Sequence, residues 1–140
     1  MLKLTTEAID PARLLAAVAS PHAGGTTLFV GTVRDLTGPE VTAALDYEAY
    51  APMAEGVFAE IAAEVRAGFT VLGVAIVHRT GRLGVGEISV AVACSCPHRA
   101  DSFAAARYAI DAVKSRAPVW KRDIPPAGGA ETWVHPGPGS

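Results

Sequence analysis

The segment between Pro97 and Pro118 constrains the fold of this chain more than any other feature. Pro97 suits the first position of a helix and Pro118 cannot continue one, so a helix is predicted from Pro97 to about Arg116. A helix of about 20 residues is ~30 Å long. His98 at its start and Lys114 in its last turn therefore cannot line one small pocket within a single chain. Either there are two sites, or two chains pair so that the start of one helix meets the end of the other.

Apolar, β-branched runs alternate with two further amphipathic helices along the rest of the chain. We predict strands at residues 2–4, 26–34, 41–50, 71–79, 87–95, 119–124 and 131–134, helices at residues 10–20 and 52–67, and a turn at residues 80–84. The predicted inner stripes are Met53, Val57, Ile61 and Val65 on the second helix and Phe103, Ala106, Ile110 and Val113 on the third. Hairpins with three main helices indicate an α+β fold with a mostly antiparallel sheet. Residues 1–135 are predicted to form one domain, and residues 136–140 a flexible tail.

Composition and charge exclude several classes of protein. The chain has 140 residues, 50% of them hydrophobic, and a formal net charge of -2, so disorder over most of its length is excluded. Its longest apolar runs fall far short of the ~20 residues that span a membrane. The N-terminus lacks a basic region followed by an apolar block, so no signal peptide is predicted and the cytoplasm is the expected location. The slightly acidic balance also argues against broad nucleic-acid binding.

Basic residues concentrate near the C-terminal end of the chain, where six of the 12 Lys and Arg lie in residues 99–122. The start of the long helix offers free N–H groups and the positive end of its dipole, and His98 and Arg99 add donors that suit a phosphate. Lys114 and Lys121 are expected to lie close to each other and to Arg side chains. Their repulsion would lower the pKa of both amines and make a neutral amine accessible for proton transfer. The alternative interpretation is ordinary helix capping and surface charge for His98 and Arg99, and two surface lysines for Lys114 and Lys121.

Cys94 and Cys96 are interpreted as small core residues rather than as a functional pair. One residue separates them, whereas structural zinc sites use longer spacings and a second pair of ligands. Strand alternation places both side chains on one face of a strand, which suits a packed core. We therefore predict no metal site, while a catalytic thiol stays open as an alternative.

Five separated segments resemble the MoaE family, the large, catalytic subunit of molybdopterin synthase. They read FVGTVRD at 29–35, LDYEAYAPMAE at 45–55, IVHRTGRLGVGE at 76–87, CPHRADSFAA at 96–105 and DAVKSRAPVWKRD at 111–123. The segments occur in the family's order, and the resemblance runs from about Gly24 to Trp133. It implies an α/β hammerhead-like fold with an added antiparallel sheet.

The resemblance also implies an activity and its partners. The enzyme is expected to be a sulfurtransferase that converts cyclic pyranopterin monophosphate into the dithiolene of molybdopterin, in molybdenum cofactor biosynthesis. The sulfur would come from a thiocarboxylate at the C-terminal Gly-Gly of a small ubiquitin-like partner, MoaD. Two large subunits would form a homodimer with a small subunit at each end, a heterotetramer. No permanently bound cofactor is implied, and no catalytic cysteine is needed because the sulfur arrives on the partner.

The family's pattern assigns roles to particular residues. Lys114 and Lys121 are the implied catalytic lysines. The residues implied to bind substrate are Thr32, Val33, Arg34, His98, Arg99, Lys114, Lys121, Arg122 and Asp123. The residues expected to wall the pocket are Phe29, Ile110 and Trp120. Because the long helix separates the two basic groups, we predict that the site is shared between two protomers of a homodimer.

Two positions depart from the family's pattern. An Arg often follows the final Trp of the family, but Trp133 is followed by Val134, and His135 is the candidate to replace that contact. Ile110 stands where Met is common, and we expect this apolar change to be harmless. The alternative function, from another class, is a non-catalytic binding module that holds a phosphorylated metabolite or an acidic protein tail.

Overall fold

The computed structural model describes residues 1–129 and 132–137. Its strands are β1 Leu2–Thr5, β2 Gly25–Thr32, β3 Leu36–Thr37, β4 Glu40–Val41, β5 Ala44–Ala49, β6 Gly73–Arg79, β7 Gly81–Gly84, β8 Ile88–Cys96 and β9 Val119–Ile124. Its helices are α1 Pro11–Val18, α2 Ala51–Gly68 and α3 Arg99–Arg116. These elements confirm the predicted α+β class. Within the described ranges, no helix is long and apolar enough to cross a membrane.

Two main sheets organise the molecule. The larger sheet has the order β1-β6-β8-β2, in which β1 runs parallel to β6 and the other pairs are antiparallel. The smaller sheet has the order β7-β5-β9 and is antiparallel throughout. Strands β3 and β4 form a separate two-stranded ribbon. The prediction of a mostly antiparallel architecture is confirmed, with the β1–β6 pair as the exception.

The larger sheet is covered on both faces. On one face, Leu14 and Val18 of α1 pack with Ala75, Val77 and neighbouring small residues of β8. On the other face, α2 and α3 bury the main core, in which Phe58 is fully buried. Because successive residues of a strand point to opposite faces, the apolar runs of β6 and β8 supply both clusters.

Residues 80–84 were predicted to form a turn, and this prediction is wrong. Gly81–Gly84 forms β7, which pairs with Ala44–Tyr47 of β5. Gly81 has a φ of +96°, a conformation that L side chains rarely adopt, so the chain can leave β6 and enter the second sheet within two residues. The tight turn lies further on, where Gly86 has a φ of +87° before β8 begins.

The predicted inner stripes of the two long helices are confirmed except at one residue on each helix. Met53 is 58% exposed and Phe103 is 64% exposed. The residues buried on α2 are Ala54, Phe58, Ile61, Ala62 and Val65, and those buried on α3 are Ser102, Ala105, Ala106, Ala109, Ile110 and Val113. Both helices carry alanines on several faces, so periodicity does not define one apolar stripe. The small side chains of α3 allow it to pack closely on β2 and β8.

The predicted strand at 131–134 is reduced to a single bridge between Val134 and Lys121, and Glu131 lies outside the described residues. The predicted tail begins at Pro136, which is buried against the rest of the chain. Residues 138–140 also lie outside the described ranges, so the flexible tail stays a prediction.

Candidate active site

A cavity of about 370 Å³ lies where the two main sheets approach each other. Three cationic side chains line it: Arg34, Lys114 and Lys121. Neutral hydroxyl groups and an apolar wall that includes Phe29 complete the lining. The cavity therefore combines a concentrated positive charge with a surface suited to a flat organic ring.

The two lysines reach the cavity from elements that adjoin in sequence. Lys114 lies in the last turn of α3, and the chain then turns at Ala117, whose carbonyl accepts a hydrogen bond from Val119 N at 2.8 Å. Strand β9 follows at once, and Lys121 on it is the cross-strand partner of Tyr47. The predicted proximity of Lys114, Lys121 and an arginine is thus confirmed by the geometry.

Arg34 reaches the cavity because β2 contains an irregularity. The pairing of β2 with β8 shifts between Gly31 and Thr32, so the strand bends there. A Cβ at Gly31 would lie 2.8 Å from Val90 Cγ1, which is too close for any side chain. Glycine at this position therefore allows β2 to bend close to β8, and Thr32 and Arg34 beyond the bend both line the cavity.

Lys114 has a lowered pKa. Burial of its amine is the largest cause, and the positive charges of Lys121 and Arg34 act in the same direction. The sequence predicted the repulsion but not the larger effect of burial. At a given pH, Lys114 is therefore neutral for a larger fraction of the time than an exposed lysine, which suits it to proton transfer.

Neutral groups that the sequence analysis did not assign to a site form the floor of the cavity. Tyr47 and Ser89 line it and share a hydrogen bond, and Ser89 Oγ also donates to Gly31 O at 3.2 Å. Burial raises the pKa of Tyr47, so its phenol is neutral. Behind it, the ring of His78 meets the Tyr47 ring edge-on with centroids 5.1 Å apart.

His78 is held neutral in the folded protein. It is 2% exposed, and its Nδ1–H donates to Arg79 O at 2.9 Å. Burial lowers its pKa to about 4, and the nearby positive charge of Lys114 acts in the same direction. A protonated imidazole at this position would therefore place a second positive charge close to Lys114.

The buried His78 is expected to make stability fall as the pH is lowered from about 6.5 to about 4. In that window the unfolded chain gains a proton that the folded chain excludes, which costs roughly 3 kcal/mol in full. The measurement is the free energy of unfolding by urea at a series of pH values. His78→Asn should flatten this slope, whereas His22→Asn, which changes an exposed loop histidine, should leave it unchanged. If the free energy of unfolding of His78→Asn depended on pH as it does in the wild type, His78 would not be the cause of the pH dependence.

Several predicted site residues lie away from the cavity in the single chain. His98 and Arg99 are at the start of α3, and 15 residues of helix, about 22 Å, separate Arg99 from Lys114. Val33 and Ile110 are buried in the main core, so neither side chain lines the cavity. The cavity of one chain therefore contains Thr32, Arg34, both lysines and Phe29 from the predicted set, and the other predicted residues lie elsewhere.

The remaining predicted residues, Trp120, Arg122 and Asp123, lie on β9. Arg122 Nε donates to Asp46 at 3.0 Å, and Asp123 lies close enough to raise the pKa of Tyr47 through its charge. Trp120 is half exposed, and its ring contacts the ring of His135 at 5.6 Å between centroids.

His135, the candidate to replace the family arginine, donates from Nε2 to Ala117 O at 2.7 Å. This bond anchors the C-terminal segment to the turn between α3 and β9. Pro136, the next residue, lines the cavity. The proposed replacement by His135 stays a prediction.

Both cysteines are fully buried on β8. Burial raises the pKa of Cys94 to about 12 and also raises the pKa of Cys96, so neither is a thiolate near neutral pH. The interpretation of both as core residues is confirmed by their burial. Among the residues that the structure describes, no group of three His, Cys, Asp or Glu side chains is placed to hold a metal.

A variant with Cys94→Ala and Cys96→Ala is expected to keep its turnover within about twofold, because a buried, protonated thiol is a poor nucleophile. Its stability should fall by about 1–2 kcal/mol through lost packing. The measurements are product formation and thermal melting on the same preparation. Loss of turnover in a variant that still melts cooperatively would assign a thiol to the chemistry.

Comparisons with known proteins point to one family. A family model described as "MoaE protein" matches residues 4–116. A molybdopterin synthase catalytic subunit from Halalkalibacterium halodurans is 44% identical over 122 residues, which cover 87% of this chain and 77% of that protein. The crystal structure of molybdopterin synthase from Staphylococcus aureus superimposes with a TM-score of 0.88 at 34% identity, covering 95% of this chain and 96% of that one. A complex of subunits 1 and 2 of the molybdopterin-converting factor from Helicobacter pylori shares the fold, with a TM-score of 0.74 at 20% identity, and covers 95% of this chain and 88% of that chain.

Proposed function

Because this chain belongs to the MoaE family of molybdopterin synthase catalytic subunits, we propose that its cavity transfers sulfur to cyclic pyranopterin monophosphate. The observation that carries this proposal is the convergence of Arg34, Lys114 and Lys121 in one cavity. The substrate carries a phosphate and a flat ring system. Three cations fit the phosphate, and the apolar wall with Phe29 fits the ring.

The sulfur is proposed to arrive as a thiocarboxylate on the C-terminal Gly-Gly of a small ubiquitin-like subunit. Once the sulfur has bonded to the pterin, attack of water on the acyl carbon forms a C–O bond and breaks the C–S bond, which leaves a carboxylate on the small subunit. This step passes through an oxyanion, and fixed positive charges near the reacting carbonyl stabilise it. Lys121 and Arg34 can supply this charge. Lys114, with its lowered pKa, can accept a proton and return it. The buried Cys94 and Cys96 take no part in this scheme.

The cavity of one chain is proposed to be half of the working site. His98 and Arg99 lie at the far end of α3, where helix dipole and free N–H groups favour an anion. In a two-fold homodimer, this end of one protomer can face the lysine end of its partner. A small subunit at each end of the dimer would complete the heterotetramer. No permanently bound cofactor is required, and the cytoplasm is the proposed location.

Reconstitution tests this function directly. The purified chain is mixed with a thiocarboxylated small subunit and cyclic pyranopterin monophosphate, and the dithiolene product is measured after oxidation to a fluorescent derivative. The matched control is the same small subunit with an ordinary C-terminal carboxylate, which should give no product. Binding of the pterin without any product would instead support the non-catalytic binding module.

A further inference from the structure

Asp46 occupies the centre of the smaller sheet and joins its three strands through side chains. It stands directly across from Arg82 on β7 and from Arg122 on β9. Arg82 donates from Nε at 2.7 Å and from Nη2 at 2.9 Å, one bond to each carboxylate oxygen, and Arg122 Nε donates at 3.0 Å. Asp46 is buried, and the hydrogen bond from Arg82 is the largest cause of the lowered pKa of its carboxyl group. Charge-assisted bonds of this kind are among the strongest side-chain contacts.

The next cross-strand pair lies on the opposite face of the same two strands. Tyr47 on β5 is paired with Lys121 on β9, and both line the cavity. Because successive residues of a strand point to opposite faces, Arg122 is directed away from the cavity that Lys121 enters. Arg122 is accordingly absent from the cavity lining and bonded to Asp46 instead.

Arg122 also contacts the segment on the other side of β9. Its guanidinium lies 4.5 Å from the ring centroid of Trp133. One residue away, the backbones of Lys121 and Val134 exchange two hydrogen bonds, of 2.8 and 2.7 Å. Strand β9 is the outer strand of its sheet, and within the described residues this single bridge is the backbone pairing on the edge of β9 that faces away from β5. Arg122 thus connects both neighbours of the strand that carries Lys121.

We propose that Arg122 is a positioning residue, which holds β9 between Asp46 and Trp133 and so fixes the place of the Lys121 amine, rather than a residue that contacts the substrate. The expected effect on turnover rests on the proposed function, whereas the placement of Lys121 by Arg122 does not. Displacement of a catalytic group by about 1 Å can reduce turnover about a hundredfold. Arg34 and Lys114 also face the phosphate, and Arg122 does not hold them, so binding of the pterin should change much less than turnover.

The test compares Arg122→Gln with Arg82→Gln, which removes the other arginine from the same carboxylate. In Arg122→Gln, kcat should fall about tenfold or more while KM for the pterin changes less than about twofold. Arg82→Gln should keep kcat within about twofold, although it removes two hydrogen bonds. Asp46→Asn should show the same changes in kcat and KM as Arg122→Gln. It replaces Arg122→Gln in this test if that variant does not fold. A rise in KM at unchanged kcat in Arg122→Gln, or an equal loss of kcat in Arg82→Gln, would overturn the proposal.

A second readout does not depend on turnover. Competitive acetylation, followed by mass spectrometry, measures the reactivity of Lys121 relative to Lys3, which is exposed on β1. The ratio should change more than about twofold in Arg122→Gln and in Asp46→Asn, and stay constant in Arg82→Gln. A constant ratio in all three variants would overturn the placement of Lys121 by Arg122. If this ratio changes as expected while the wild-type chain makes no dithiolene, the proposed function fails and the positioning role stands.

Discussion

Replacement of Lys114 or Lys121 by alanine is expected to reduce dithiolene formation by at least about a hundredfold. The two amines are the groups in the cavity that can both exchange a proton and carry positive charge. Burial and the charges of Lys121 and Arg34 lower the pKa of Lys114. The assay is product formation in the reconstituted system under saturating substrate.

The chain offers a matched control for this result, since Lys3 is its third and last lysine. Lys3 is exposed on β1, away from the cavity lining. Lys3→Ala should therefore form product at the wild-type rate. Binding of the pterin, measured by calorimetry, should persist in Lys114→Ala with a moderately weaker affinity. Undiminished turnover in both cavity variants would leave only a binding role for the cavity.

Mixing two inactive variants is expected to restore activity. If the site combines the lysines of one protomer with Arg99 of its partner, a dimer of one Lys114→Ala chain and one Arg99→Ala chain holds one intact site and one site with both defects. Doubly tagged mixed dimers should then recover about half of the wild-type activity, while each parent homodimer stays near background. The expectation follows from the length of α3, which keeps Arg99 and Lys114 apart within one chain.

The pairing of Lys114→Ala with Lys121→Ala is the control for this experiment. Both lysines line the cavity of the same chain, so each site of the mixed dimer lacks one of them. No recovery is expected. Equal recovery in both mixtures, or none in either, would contradict a site shared in this way. Full activity of a monomer in analytical ultracentrifugation would contradict it as well.

Features governed by local sequence were predicted closely. The boundaries of α3 follow from Pro97 and Pro118. Lys114 and Lys121 adjoin the same turn, so their proximity could be predicted from the local sequence alone. The family resemblance, carried by such segments, is confirmed by the comparisons.

Features that depend on distant partners were not predicted. Residues 81–84 become a strand because β5 offers an edge to pair with, which no local pattern encodes. Tyr47 and Ser89 meet across two sheets, and their separation in sequence hides the contact. The exposure of Phe103 depends on which alanines of α3 face the sheet, and the composition of the helix leaves several rotations nearly equivalent.

The order of strands makes one wall of the cavity more resistant to local unfolding than the other. Ser89 belongs to β8, which is paired on both edges over residues 90–95 and covered on both faces, so the amide protons of that stretch should exchange only when the whole domain unfolds. Lys121 belongs to an outer strand fastened by β5 and by one bridge. Partial unfolding that detaches β9 would therefore remove Lys121 and leave the opposite wall of the cavity in its native conformation.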